Sequence, residues 1–208
     1  MAKVLLAIPT SGGIHERTSA VAARLDARPD VEYITASGRP VDFVRNSVIR
    51  IFLKQPEFTH LFLLDSDTEP PLDCIERLLA LTAPLAGGCY PVIMQKGLRW
   101  ALMNADNDRR YWLLERLLFL FEPFEVDAGG AGCLLIRRDV FDKVKWPWFK
   151  WIEREDGTQE SEDIHFFRKC NETGLRVMID PQVICNHFKT VNITDLMRMK
   201  MQGQKKGN

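Results

Sequence analysis

No apolar run in this 208-residue sequence reaches the ~20 residues that a bilayer-spanning helix requires. The most apolar stretch, residues 111–121, is broken by Glu115 and Arg116 and stops at Glu122-Pro123, so any membrane contact is expected to be peripheral. The run at residues 4–8 ends at Pro9-Thr10-Ser11, too early for the core of a secretion signal. An excess of one charge is missing too. Lys plus Arg and Asp plus Glu number 28 each, so no global field draws the chain to a polyanion and a nucleic-acid-coating role loses ground. The five cysteines, at 74, 89, 133, 170 and 185, are odd in number and form no CxxC pair. Neither a zinc ribbon nor a disulfide framework follows, and reduced, buried thiols of a cytoplasmic protein are expected. No internal repeat is visible at any period. What is present is ordinary globular composition, 46% hydrophobic and 27% charged, in a chain long enough to bury a core without cross-links.

The pattern of the chain is that of an α/β domain. Residues 4–8 form a continuous apolar run bounded by Pro9 and Gly12-Gly13, as in a strand buried on both faces of a parallel sheet. Residues 18–25 predict a helix, 31–35 a second strand, and 41–55 a helix whose apolar stripe is Val44, Val48, Ile51 and Phe52, with Arg45, Asn46 and Arg50 off it. Residues 60–64 are a further strand with Asp65 at its carboxyl edge, where open α/β sheets bind ligands. Pro70-Pro71 then opens a helix with Leu72, Ile75, Leu78, Leu79 and Thr82 on one side, and 85–90 reads as a strand. Residues 98–103 look like a strand, 106–110 like a turn, and 111–120 fit either helix or strand. Gly129-Gly130-Ala131-Gly132 lets backbone pass close to a ligand before the apolar residues 133–136 and a short helix at 138–144. Residues 153–160 predict a mobile loop, Ser161 caps the next helix, Gly174 ends it, and 175–179 and 183–185 are two short strands. From residue 195 onward a frayed helix is expected.

Two carboxylates two residues apart at a strand end, Asp65 and Asp67, offer hard oxygen ligands to Mg²⁺ or Mn²⁺ while leaving room for phosphates and water. Asp-Ser-Asp-Thr is also good turn and capping chemistry. His187 follows a strand and can reach the same ion as a neutral imidazole, with Lys189 supplying a point charge for phosphate. The plain alternative is a surface histidine in a loop. Ser161-Glu162-Asp163 opens a helix; the acids suit the helix dipole, and either can serve as a general base at a cleft rim. Arg45 can fork onto phosphate oxygens beside Asn46, or simply belong to a solvated helix face. The Trp146-Pro147-Trp148-Phe149-Lys150-Trp151 cluster is either an aromatic platform for a sugar ring or part of a core or interface.

Read in order, Ala7-Ile8-Pro9-Thr10, Val41-Asp42-Phe43-Val44-Arg45-Asn46, Leu63-Leu64-Asp65-Ser66-Asp67, Gly130-Ala131-Gly132-Cys133-Leu134-Leu135-Ile136-Arg137-Arg138, Ser161-Glu162-Asp163 and Asn186-His187 resemble GT-A-fold glycosyltransferases of the family-2-like kind, over positions 4–189. The resemblance implies a GT-A type fold, a nucleotide-binding, Rossmann-like mixed sheet flanked by helices. It implies one catalytic domain at about 1–190, with a donor half at about 1–90, an acceptor half at about 91–190 and a tail at 191–208. Pro9, Thr10 and Ser11 would border the nucleotide, with Arg45, Asn46, Asp65, Ser66 and Lys189 on the donor. Asp65 and Asp67 would be the DxD motif that holds Mn²⁺ or Mg²⁺, and His187 a further metal ligand. Glu162-Asp163 would match the acidic helix-start motif, whose aspartate is the base in inverting members; retaining enzymes share the fold and the DxD. The substrates implied are a UDP- or GDP-sugar and a hydroxyl acceptor that the sequence does not identify. A QxxRW motif is lacking, which argues against a processive, polymer-extruding synthase. Two other readings compete: a haloacid-dehalogenase-like phosphatase, whose strand also ends in DxD, and a non-catalytic nucleotide-sugar-binding module. A sugar-1-phosphate nucleotidyltransferase would need a Gly-rich, Arg- and Lys-bearing phosphate loop after the first strand, and none is seen.

Overall fold

The structure, a computed structural model, describes residues 2–94, 97–105, 111–113 (backbone), 121–192 and 194. In chain order the elements are β1 Val4–Thr10, α1 Glu16–Asp26, β2 Val31–Ser37, α2 Val41–Leu53, β3 His60–Leu64, β4 Thr68–Glu69, α3 Cys74–Ala80, β5 Leu85–Cys89, β6 Pro91–Met94, β7 Gly97–Trp100, β8 Leu102–Ala105, β9 Tyr111–Leu113, β10 Phe124–Val126, β11 Ala128–Gly129, β12 Cys133–Arg137, α4 Val140–Lys143, β13 Ile152–Glu153, β14 Gln159–Glu160, α5 Glu162–Glu172, β15 Val177–Ile184 and β16 Asn186–His187. The turn expected at 106–110, most of 111–120 and the tail from 195 lie outside the described residues.

Seven strands form one mixed sheet in the order β10-β15-β5-β12-β3-β1-β2. β2, β1 and β3 run parallel, β12 is antiparallel to both of its neighbours, β15 is parallel to β5, and β10 is antiparallel to β15. Strand alternation sorts the apolar residues into two layers. Leu5, Ala7, Leu61 and Leu63 join Val48, Ile49 and Phe52 of α2 and Phe166 and Phe167 of α5 on one face. Val4, Leu6, Ile8, Phe62 and Leu64 join Val21, Ala22 and Leu25 of α1 and Ile75 and Leu78 of α3 on the other. The sheet is therefore covered on both sides, which explains why β1 is apolar throughout rather than alternating. Near the middle of the sheet, a Cβ on Gly88 would come within 2.7 Å of the Val183 carbonyl and 2.9 Å of Cys133 Sγ. Only glycine lets β5 sit between β12 and β15 there. All five cysteines are free and buried.

Several expectations are corrected. The buried flank of α2 holds Val44, Arg45, Asn46, Val48, Ile49 and Phe52, while Ile51 is exposed, because the helix turns its Arg45 edge toward the end of the sheet rather than to solvent. The apolar stretch 98–103 is two strands, broken at Ala101, whose N–H goes to the Tyr90 carbonyl and whose carbonyl accepts from Gly130 N–H. The two strands expected at 175–179 and 183–185 are one, β15, with a register shift between Ile179 and Ile184 where Asp180 takes the Gln182 N–H. Residues 153–160 form a narrow β13–β14 hairpin closed by Arg154 and Thr158. Among the described residues no helix is long and apolar enough to cross a membrane.

Phe52 is fully buried, edge-on to Phe141 at 5.8 Å between ring centres and under the Arg138 guanidinium at 4.1 Å. Phe52→Ala is expected to lower unfolding stability by ~3–5 kcal/mol, the usual cost of emptying a buried phenylalanine site. The denaturant midpoint at unchanged m-value measures it; a loss under 1 kcal/mol would mean that this core collapses around the void.

Candidate active site

The carboxyl ends of β1, β3 and β5 and the amino end of β12 meet at one sheet edge, because β12 runs against β3 with Cys133 opposite Leu64. Asp65 follows β3 directly, and its backbone N–H is fixed on the Gly132 carbonyl at 3.0 Å. Tyr90, at the end of β5, accepts the Gly132 N–H on its hydroxyl at 3.1 Å. The glycines before β12 are dictated by these contacts: a Cβ at Gly132 would lie 2.7 Å from Asp65 Oδ2, and one at Gly130 would run into the Tyr90 hydroxyl.

Into this edge projects Arg45 from α2, only 3% exposed. Its guanidinium holds Asp65 Oδ1 at 2.7 Å, Glu162 Oε1 at 2.7 Å and Asp163 Oδ1, and it lies over the Phe149 ring. Burial alone would lower the Arg45 pKa, but the charges of Asp163, Asp65 and Glu162 more than reverse this and raise it. Glu162 and Asp163 open α5, capped by Ser161, whose hydroxyl accepts the Ile164 N–H. The other oxygen of Asp163 accepts the Ala131 N–H at 3.3 Å. Burial raises the Asp163 pKa to about 7; Arg45 opposes this, while Glu162 and Asp65 reinforce it.

On the other side of Asp65, the short β4–β16 ladder pairs His187 with Thr68 and so brings His187 to Asp67. His187 Nδ1 is held by the Pro91 carbonyl at 2.8 Å, so Nδ1 is the donor and Nε2 is turned toward Asp67 Oδ1, 3.5 Å away. A bare imidazole nitrogen facing a carboxylate oxygen calls for a proton or a cation between them. Burial lowers the His187 pKa, but the Asp67 carboxylate and the Pro91 carbonyl outweigh it and raise it. Lys189 Nζ takes the other Asp67 oxygen at 2.5 Å. Burial would raise Asp67, yet His187 and Lys189 hold it down at about 2. This donor set, one carboxylate and one oriented imidazole with a carbonyl behind it, fits a partial shell for Mn²⁺ or Mg²⁺. Among the described residues, no group of three or more His, Cys, Asp and Glu is placed to hold a metal ion. Asp65 is engaged by Arg45 rather than turned to His187.

The remaining expected residues separate. Pro9 and Thr10 are buried, and the Thr10 hydroxyl folds the loop after β1 onto itself through Gly12 and Gly13. Ser11 is exposed next to them, and the Ser66 carbonyl receives the His15 N–H. Asn46 is committed elsewhere: its carboxamide donates to the Phe149 carbonyl at 2.7 Å and accepts the N–H groups of Trp148 and Phe149. Of the aromatic cluster, Trp148 and Phe149 are core, while Trp146 and Trp151 are exposed. Sequence reasoning passed over Tyr90, whose only signal was a hydroxyl-bearing ring at the end of an apolar run. It also passed over Arg154, Glu160 and Arg168, which with Trp151, Asp163 and Tyr90 line a cleft of about 1010 Å³. Arg154 and Arg168 share the buried Glu160 carboxylate at 2.7 and 3.1 Å.

No protein-family model matches the sequence, and no curated protein sequence matches it. Among solved structures the fold is similar to A197 from STIV, with a TM-score of 0.64 and 21% identity over 90% of this chain and 86% of that one. It is also similar to GalNAc-T7, solved with UDP, GalNAc and Mn²⁺, with a TM-score of 0.57 and 13% identity over 92% of this chain. The match spans 44% of the GalNAc-T7 chain. At these identities the likeness is one of fold, and the fold class is the GT-A type: a mixed α/β sheet flanked by helices.

Removing Arg45 leaves three carboxylates facing one another. Arg45→Met is expected to cost ~3–5 kcal/mol at pH 7, the range for breaking a buried ion pair from one side. Without Arg45, the charge that opposes the rise, Asp163 goes higher still, so the variant's deficit shrinks as pH falls toward 5, where its folded state binds the extra proton. In the parent protein the shifts of Asp163 and Asp67 act oppositely. Raised Asp163 contributes stability below pH ~4 that is lost as pH rises through about 7, while lowered Asp67 contributes stability above pH ~4 that is lost as pH falls through about 2. Denaturation of both proteins across pH 5–8 tests this; a pH-independent difference would show that Arg45 does not carry the cluster.

Proposed function

We propose that this chain is a metal-dependent glycosyltransferase that moves a sugar from a UDP- or GDP-linked donor to an acceptor hydroxyl. The observation that carries the reading is the placement, at one sheet edge, of an oriented Asp67–His187 pair on one side of Asp65 and, on the other, the high-pKa carboxylate of Asp163, which lines a large cleft. The fold likeness to GalNAc-T7 with UDP, GalNAc and Mn²⁺ supports it. In this reading the β1 loop at Pro9, Thr10 and Ser11 borders the nucleotide, and the donor half ends at Tyr90, where the acceptor half begins. Asp67 and His187 hold the ion. Bound Mn²⁺ or Mg²⁺ supplies Lewis-acid stabilisation of the departing diphosphate. Lys189 leaves Asp67 for a phosphate oxygen, a short move for an exposed side chain on a flexible stem. Arg45 and Asn46 serve as positioning residues, one for the carboxylates and one for the 148–149 backbone.

For the inverting course, Asp163 takes the proton of the acceptor hydroxyl as its oxygen bonds to the anomeric carbon and the bond from that carbon to the diphosphate breaks. A carboxylate with a pKa near 7 is a strong enough base to do so while still ionised in a useful fraction at neutral pH. Glu162, the other acid of the motif, is more deeply buried and bound to Arg45, which suits it to holding the cluster rather than meeting an acceptor.

Binding of UDP or GDP, read as a rise in melting temperature, is expected to need Mn²⁺ and to vanish in EDTA, and Asp67→Ala should remove the metal dependence with the activity. Equal shifts in Mn²⁺ and EDTA would overturn the metal role. Asp163→Asn keeps the acceptor for Ala131 N–H and removes a charge that burial penalises, so the melting temperature should hold or rise. Transfer should fall by ~10²- to 10⁴-fold, the usual contribution of a general base. Activity within a few-fold of the parent would reduce Asp163 to a helix-terminus acid.

A further inference from the structure

The β6–β7 ribbon stands at the mouth of the cleft and carries apolar side chains on both faces, with Arg99 on the face of Val92 and Met94. Its register pairs Ile93 with Leu98 and Val92 with Arg99. Alternate residues of a strand face opposite sides, so Val92 and Met94 share one face, and Ile93 shares the other with its cross-strand partner Leu98. Val92 and Met94 line the cleft together with Met103 and Ile164. Ile93, Met94 and Leu98 are 40%, 46% and 67% exposed. A solvated two-stranded ribbon ordinarily keeps one face polar. Here exposed apolar side chains stand on both, and Val92 and Met94 are shared with the lining of a cleft that Asp163 also lines.

Other residues of the lining are polar: Arg154, Glu160 and Arg168 are tied together beside half-exposed Trp151. A volume of about 1010 Å³ is at the top of the usual ~300–1,000 Å³ range for ligand pockets, so more than a single sugar ring fits. Part of the lining therefore suits hydroxyls and part a chain of methylenes, and the apolar part includes Val92 and Met94 of the ribbon.

We propose that the acceptor is an amphiphile: a hydroxyl-bearing head group that lies toward Asp163, on an apolar chain that leaves the cleft over Val92, Met94 and Met103 and along the β6–β7 ribbon. The acceptor role rests on the glycosyltransferase reading; the binding itself does not. Arg99, on the ribbon, keeps its own contacts and is not needed for it.

The test is ¹³C-methyl-methionine NMR of the full chain, titrated with dodecyl maltoside below its micelle-forming concentration and, separately, with maltose. The Met94 and Met103 methyl signals are expected to shift saturably with dodecyl maltoside and to stay in place with maltose. Met94→Asp should weaken the alkyl glycoside by about tenfold or more, the scale of losing a few buried methylenes, while Leu98→Asp, on the ribbon's other face, should leave it unchanged. Met94→Leu should keep the affinity. Both aspartate variants should melt with the parent, since the replaced side chains are solvent-exposed. Equal shifts with maltose, no shift at either methyl, or unchanged affinity in Met94→Asp would overturn the proposal. So would a dimer in sedimentation whose formation, rather than the glycoside, moves the Met94 signal, because the ribbon would then belong to a second copy of the chain. UDP and Mn²⁺ binding is measured on the same samples. Intact nucleotide binding without glycoside binding overturns the acceptor inference alone; glycoside binding without any nucleotide binding overturns the glycosyltransferase reading and the acceptor role with it.

Discussion

One buried guanidinium decides how this site is assembled. Arg45 ties α2 to the end of β3 through Asp65, 20 residues on, and to the start of α5 through Glu162 and Asp163, more than a hundred residues away. Taking four charged groups out of water is costly, and their attraction offsets that cost only with close geometry. The arrangement leaves one positive charge against three carboxylates. Among the described residues it also leaves the buried Arg45 Nε without a hydrogen-bond partner. A cluster in such charge deficit is poorly suited to stability alone and well suited to drawing a cation to its edge.

The neighbouring groups share that deficit in an ordered way. Asp67 is answered by Lys189 and His187, and His187 is fixed in its tautomer by the Pro91 carbonyl. Asp163 is the carboxylate whose charge is least well answered, since burial and its two acidic neighbours outweigh its share of Arg45. One strand edge thus holds a low-pKa carboxylate on one side and a high-pKa carboxylate on the other, a separation typical of sites that divide ligand binding from proton transfer. Tyr90 and the Gly130–Gly132 backbone set the spacing, because the Tyr90 hydroxyl and Asp65 occupy the space where side chains at 130 and 132 would lie.

Much of the frame was legible from the chain itself. The uninterrupted apolar residues of β1 and β3 announced strands buried on both faces, the Ser161 cap and Gly174 bracketed α5, and Asp65 at a strand end pointed to the sheet edge where the candidate site lies. These are short-range facts: periodicity, caps and turns act within a few residues, and the sequence prints them directly. The same holds for Asp67, His187 and Asp163 as chemically apt residues, though only as residue types in a suggestive order.

What the tertiary structure alone decided is which of them meet. Arg45 and Asn46 lie off the apolar stripe of α2 and read as a solvated edge, yet both are buried, because the helix packs with that edge against the sheet end and the 148–149 backbone. Whether Asn46 reaches a ligand or the Phe149 carbonyl is a matter of contacts across a hundred residues, which no local pattern encodes. The pairing of β16 with β4, which brings His187 to Asp67, and the apolar side chains on both faces of the β6–β7 ribbon are of the same kind. Sequence determined the elements and the chemistry available on them; packing determined the distances and the loss of water, and on those two quantities the charge of every group in the site depends.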